Sequence, residues 1–207
     1  MSTMAFIDET TRGPNEGNGP GYYQLTAALI DGPGVSALRA ATVAIAPAGF
    51  HASELARRGD EAAVLAMLEH VAAAEECWNL VAMTYEYRTN GEQEMARQAC
   101  LRLLLAEIDA QKIGHVVLDS REVLADRGGD LQRRNKIDLS TLADLRRSGA
   151  VDRHMTMSHV HDSQESLLWL PDAVGWAFRQ QELRQDNTYF KVVAGVTTVH
   201  RIHPSTS

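Results

Sequence analysis

The sequence predicts an α/β protein built on a mixed sheet of five or more strands flanked by helices. Two observations carry this. Strand-like apolar runs come first, at residues 4–8, 22–30 and 41–46, with no helical stripe between them. From residue 60 onward, strand-like and helix-like segments alternate. An antiparallel opening followed by βα units gives a sheet of mixed direction with helices packed on it. No internal repeat, low-complexity tract or long linker divides the 207 residues, so one domain over 1–207 is expected, and 44% apolar content is enough to fill its core.

Met-Ala-Phe-Ile-Asp at 4–8 reads as a strand ending in a carboxylate, and the glycines and prolines of 13–21 read as an open hairpin loop. Tyr22 to Ile30 has the aromatic and apolar content of a second strand, closed by Asp31-Gly32-Pro33-Gly34. Ala41 to Ala46 is read as a third strand stopped by Pro47, although its alanines also suit a helix. Val64, Leu65, Leu68, Val71 and Ala72 form one stripe of a helix that starts after Gly59, with Asp60 as its N-cap. Trp78 to Tyr87 is strand-like. Leu101, Leu104, Leu105 and Ile108 mark a second helix that follows Asn90-Gly91 and ends near Lys112 and Gly114.

His115 to Asp119 repeats the opening theme, a short apolar strand delivering a carboxylate. Leu131 to Arg147 reads as a polar helix closed by Gly149, and residues 153–161 as a strand. Leu167 to Leu183 is helical; Pro171 is tolerated best in a first turn, which places Asp172 there too. The valines of 189–202 predict one or two final strands.

Twenty Lys and Arg against 27 Asp and Glu give a net charge of −7, so any contact with a polyanion must be local. Two cysteines in no zinc-ligand or CxxC spacing exclude a disulfide-stapled secreted scaffold and fit a reducing cytoplasm. Asp8 and Glu9 stand where a signal peptide keeps its apolar stretch, and no run approaches the roughly 18 apolar residues of a membrane span. A cytoplasmic protein without a membrane partner is expected.

The chemistry is expected from the acids. In an open α/β sheet, groups at the carboxyl ends of neighbouring parallel strands face one crevice. Asp8 and Asp119 close strands, and Asp172 begins a helix. Carboxylate oxygens suit hard divalent cations such as Mg²⁺ or Mn²⁺, and ions held this way can clamp the oxygens of a phosphodiester displacement.

Five segments, taken in order, resemble a known family: Phe6-Ile7-Asp8-Glu9-Thr10; Tyr22-Tyr23-Gln24-Leu25; Phe50-His51-Ala52-Ser53-Glu54-Leu55; Val116-Val117-Leu118-Asp119-Ser120-Arg121; and Leu167-Leu168-Trp169-Leu170-Pro171-Asp172 running on to Gly175. They are similar to the motifs of the domain-of-unknown-function 3800 family, across nearly the whole chain. The resemblance implies a ribonuclease-H-like fold and a metal-dependent nuclease acting on nucleic acid, DNA or RNA. It places Asp8, Asp119 and Asp172 on the family's acidic positions, as ligands of Mg²⁺ or Mn²⁺, and Glu9 on the acid beside the first. The family's FIDESG is FIDETT here and its LQLAD is LWLPD. These departures motivate an alternative, a catalytically lapsed ribonuclease-H-like binding or interaction module.

Further ligands are left open between Glu54 and Glu86, and His51 is a candidate proton shuttle. His159, His161 and Asp162, with His154 upstream, form a rival set suited to Zn²⁺ or Fe²⁺. Residues 127–153 carry seven basic against four acidic residues and would supply phosphate contacts if they lie beside the acids. Tyr22, Tyr23, Tyr85, Tyr87, Trp169 and Trp176 would stack on bases or fill the core.

Overall fold

The computed structural model describes residues 3–14, 21–120 and 130–202. Most of the expected glycine-rich loop, Arg127, and the side chains of Tyr85, Glu86, Arg133 and Arg134 lie outside the described residues.

Six strands form one sheet: β1 (Met4–Arg12), β2 (Gly21–Ile30), β3 (Cys77–Tyr87), β4 (His115–Asp119), β5 (Thr156–Val160) and β6 (Thr197–Ile202). Their order across the sheet is β5-β4-β1-β2-β3-β6. β2 runs antiparallel to β1 and β3, whereas β1/β4, β4/β5 and β3/β6 pair in parallel. The expected mixed sheet of five or more strands is therefore present. Every residue of β2 is buried, because helices cover it on both faces.

Side chains alternate across a strand, so β1 divides its residues between two cores. Phe6 joins Ala28, Ile30 and Met83 under α1 (Val35–Ile45), α3 (Glu61–Ala73) and α6 (Trp169–Arg184). Ala5 and Ile7 join Leu25, Leu29 and Ala82 under α4 (Asn90–Ala110) and α5 (Asp130–Ser148). Leu101, Leu104, Leu105 and Ile108 are all fully buried on α4, the stripe that the spacing predicts. Burial of each such side chain contributes about 1.5–3 kcal/mol. Asp60 caps α3 by accepting from the Ala63 amide at 3.4 Å.

Two expectations are corrected. Residues 41–46 lie almost wholly in α1, where Leu38 and Thr42 are buried one turn apart and the Thr42 hydroxyl donates to the Leu38 carbonyl at 2.8 Å. The alanines there follow helix propensity. In the tail, Val192 and Val193 belong to α7 (Phe190–Val193) and Val196 to a 3₁₀ turn, so one strand, β6, remains. A helix that the spacing did not predict, α2 (Ala52–Arg57), also forms. A 3₁₀ turn at Ser166–Leu168 leads into α6, with Pro171 and Asp172 in its first turn as expected. No helix among the described residues is long and apolar enough to cross a membrane.

Candidate functional site

Strand parity and register bring two of the acids together. Phe6 pairs in parallel with Val117 and Ile7 with Leu118, so Asp8 and Asp119 each stand one residue past the last paired position. Phe6 and Val117 share a core; Asp8 and Asp119, two residues on along each strand, therefore project from that same face.

The third acid arrives on α6, which packs across β1 and β2. Gly175 makes that approach possible, since a Cβ there would stand 2.8 Å from Thr10 Oγ1 and 3.0 Å from Thr26 Oγ1. Beneath it the Gln24 amide donates to Thr26 Oγ1 at 2.7 Å and to the Gly175 carbonyl at 3.3 Å, and Tyr22 OH donates to Gln24 Oε1. Asp172, one turn earlier, is held from above. The Ala52 amide donates to its Oδ2 at 2.8 Å and His51 Nδ1 lies 3.1 Å from the same oxygen, as expected for a carboxylate at the start of α2.

The result is a cavity of about 220 Å³ lined by Asp8, Glu9, Asp119, Asp162 and Asp172, by His51 and His161, and by Phe50, Leu168 and Trp169. The crowding shows in the acidities. Burial, then the charges of Asp172 and Asp119, push the Asp8 carboxyl well above its usual range. Burial, then Asp162, push Asp119 up to about 6, although His161 and a 3.1 Å hydrogen bond from the Asp162 amide work against the rise. The hydrogen bond to Asp172 raises His51. The carboxylates of this set, oxygen donors that repel one another, fit a hard divalent cation in their chemistry, with the imidazoles of His51 and His161 beside them. Among the described residues, however, no three His, Cys, Asp or Glu side chains form a ready-made cage.

Glu9 borders this cavity, but its Oε2 is engaged elsewhere. It accepts from Tyr23 OH at 2.6 Å and from Arg97 Nε at 3.3 Å. Arg97, only 2% exposed, also pairs with the fully buried Asp138, whose Oδ2 lies 3.0 Å from His159 Nε2. The sequence motifs do not include this buried chain of charges, yet one signal for it exists: Arg97 is four residues before Leu101 and seven before Leu104, a charge on an apolar stripe.

The remaining candidates separate. Glu54 pairs with Arg58 at 3.2 Å and faces a neighbouring cavity rather than the acid cluster. The rival histidine set does not assemble. His159 turns to Asp138, His161 lines the acid cavity with Nδ1 2.8 Å from Asp162 Oδ1, and His154 borders a different cleft, beside Gly114 and Gly149. Of the basic stretch, Arg146 and Arg147 occupy the last turn of α5, next to that same cleft at the N-terminal end of β4, away from the acids. Arg147 pairs with Asp144 at 3.1 Å. Tyr22, Tyr23 and Tyr87 are core residues and Trp176 packs edge-on against Tyr189, so among the described side chains of that set Trp169 is the one that lines the cavity. Asp162, which the sequence singled out only within the histidine set, stands among the acids.

No protein-family model and no curated protein sequence matches this chain. Among solved structures it is similar to ribonuclease H2 from Pyrococcus horikoshii OT3, at 14% identity and a TM-score of 0.45, over 91% of this chain and 78% of that one. It is similar also to Bst-RNase HIII in complex with Mn²⁺, at 14% identity and a TM-score of 0.47, over 88% of this chain and 54% of that one. A mutant of the same Bst-RNase HIII gives 15% identity and a TM-score of 0.48, over 87% and 53%. The chain spans about half the length of the two Bst-RNase HIII chains.

Proposed function

We propose that the protein is a divalent-metal-dependent phosphodiester hydrolase acting on nucleic acid. One observation carries the reading: Asp8, Asp119 and Asp172, far apart in sequence, line one cavity where β1 and β4 deliver their acids. In this reading these three side chains hold one or two Mg²⁺ or Mn²⁺ ions, which supply the positive charge that a phosphodiester displacement needs. Glu9 tunes the set from the rim, its own charge offset by Arg97. The Ala52 amide and His51 orient Asp172, and the Asp162 amide orients Asp119. Phe50, Leu168 and Trp169 give the cavity an apolar side. The motif order supports membership of the domain-of-unknown-function 3800 family, and free, buried Cys77 and Cys100 agree with a cytoplasmic setting.

Cleavage of single-stranded, duplex and hybrid substrates with Mg²⁺ or Mn²⁺ tests this. Activity should require the metal and vanish in Asp8→Asn and Asp119→Asn protein; activity that persists in either variant overturns the assignment.

The second reading, a lapsed binding module, draws on the engagement of Asp172 Oδ2 by two donors and on the lack of a preformed cage among the described residues. Calorimetric titration with Mn²⁺ separates the two, since a lapsed site takes up no heat-producing ion.

A further inference from the structure

A second cavity, of about 330 Å³, opens beside the acid cluster and shares four wall residues with it: Phe50, His51, Asp162 and Trp169. Its size is that of a small-molecule site, which typically spans roughly 300–1,000 Å³. The two cavities differ in charge. No Lys or Arg lines the acid cavity among the described residues, whereas Arg58 lines the second. Arg58 is 73% exposed and its ion pair to Glu54, at 3.2 Å, is of the solvent-facing kind that exchanges at little cost. On the shared wall, Phe50 and Trp169, only 4% and 8% exposed, lie with ring centroids 6.4 Å apart and planes 29° from parallel, and a Trp169 Nε1 hydrogen bond to the Asp162 carbonyl at 3.2 Å fixes the indole. A fixed aromatic wall, a guanidinium and an adjoining set of acids form a graded surface. It offers apolar contact and a phosphate partner directly beside the place where a second phosphate would meet a metal.

We propose that this cavity seats one unpaired nucleotide next to the scissile phosphate, its base against Phe50 and Trp169 and its own phosphate on Arg58. The proposal rests on the nuclease reading and narrows its substrate class. A base can enter a cavity walled by protein only when it has left its partner strand, so the favoured substrate is a single strand, or a duplex with an unpaired residue at that position. Because both rings are largely buried, the base makes an apolar contact with the wall rather than a full stack, and such a contact tolerates any base.

The test walks one abasic residue through oligonucleotides of a single sequence, as free strands and as blunt duplexes, and measures KM and kcat in Mn²⁺ for the wild-type protein and for Arg58→Ala and Arg58→Lys. The abasic residue should raise KM about threefold, the scale of a small apolar contact, at one position flanking the cleaved bond and little elsewhere. Free strands should be preferred to blunt duplexes. Arg58→Ala should raise KM for every sequence and lower the slope of log affinity against log salt by about one, and Arg58→Lys should restore most of both. If cleavage proceeds but the abasic residue costs the same at every position and Arg58→Ala changes nothing, this subsite is overturned and the nuclease reading stands. If no strand is cleaved at all in the presence of metal, both fall together.

Discussion

Gly175 rests on Thr10 so closely that a single added methyl would stand 2.8 Å from the threonine hydroxyl. The helix that carries Asp172 is thereby set at a fixed height above the strand that carries Asp8. Gly175→Ala should cost about 1–3 kcal/mol, the usual penalty for overpacking, and lower kcat by displacing Asp172. Thermal melting and steady-state assays of the variant check both; a variant that melts and turns over like wild type shows that the contact does not set the site.

The acid cluster sets a pH dependence whose sign is fixed. Burial and neighbouring carboxylates raise Asp8 well above the usual range and Asp119 to about 6. The folded protein therefore binds these protons more tightly than the unfolded chain does. The resulting stability is full below the unfolded carboxylate pKa near 4 and is lost as pH rises through about 6 for Asp119, and through the raised value of Asp8. In chelator, Asp8→Asn protein should melt higher than wild type at pH 8, with the gap closing toward pH 4. Melts of the pair across this range decide it, and a variant less stable than wild type at pH 8 contradicts the sign.

Divalent metal should reverse that repulsion. Ligand present at about 100 times its Kd adds about 2.7 kcal/mol to the folded state. Melting of the wild-type protein should thus rise with Mn²⁺, whereas Asp119→Asn protein should not respond. An equal rise in both would mean that the ion binds somewhere other than the cluster.

Arg97 is buried between Glu9 and Asp138. Removing one partner of such a pair leaves the other charge uncompensated, at about 3–5 kcal/mol. Arg97→Met should lose this much in urea unfolding, and Arg97→Met combined with Asp138→Leu should regain part of it. Should the single variant unfold at the wild-type midpoint, the network is ornamental.

Burial pushes the thiols of Cys77 and Cys100 up to about 12. Thiolate is the reactive form, so the native protein at pH 8 should resist an aromatic disulfide reagent, and both thiols should react once denaturant is added. Rapid labelling of the folded protein would show that one of them opens to solvent.

Much of this architecture could be read from residue order. The periodicity of Val64, Leu68 and Val71, the strand-closing carboxylates at Asp8 and Asp119, and the proline that places Asp172 in a first turn all point to the elements in which they occur. These signals are local, and local spacing is enough to report them. Ala41 to Ala46 shows where such reading stops, because alanine accepts either backbone and only the burial of Leu38 and Thr42 against α3 and the turn before α6 decides for helix. The site was partly legible for the same reason. Its three aspartates follow from strand ends and a helix start, but Asp162 joins them only through the turn after β5, and Phe50, His51 and Ala52 only through a six-residue helix with no periodic signature. Arg97 and Asp138 meet across two helices that no spacing rule pairs.

Asp8 and Glu9 are chain neighbours, yet the pleat between them sends one to a crowd of acids and the other to an arginine. The sheet works here as a partition between two ionic environments. Behind it, Glu9 and Asp138 share the buried Arg97 and Asp138 also meets His159; in front, the carboxylates of Asp8, Asp119, Asp162 and Asp172 crowd one another, the imbalance that the proposed metal would relieve.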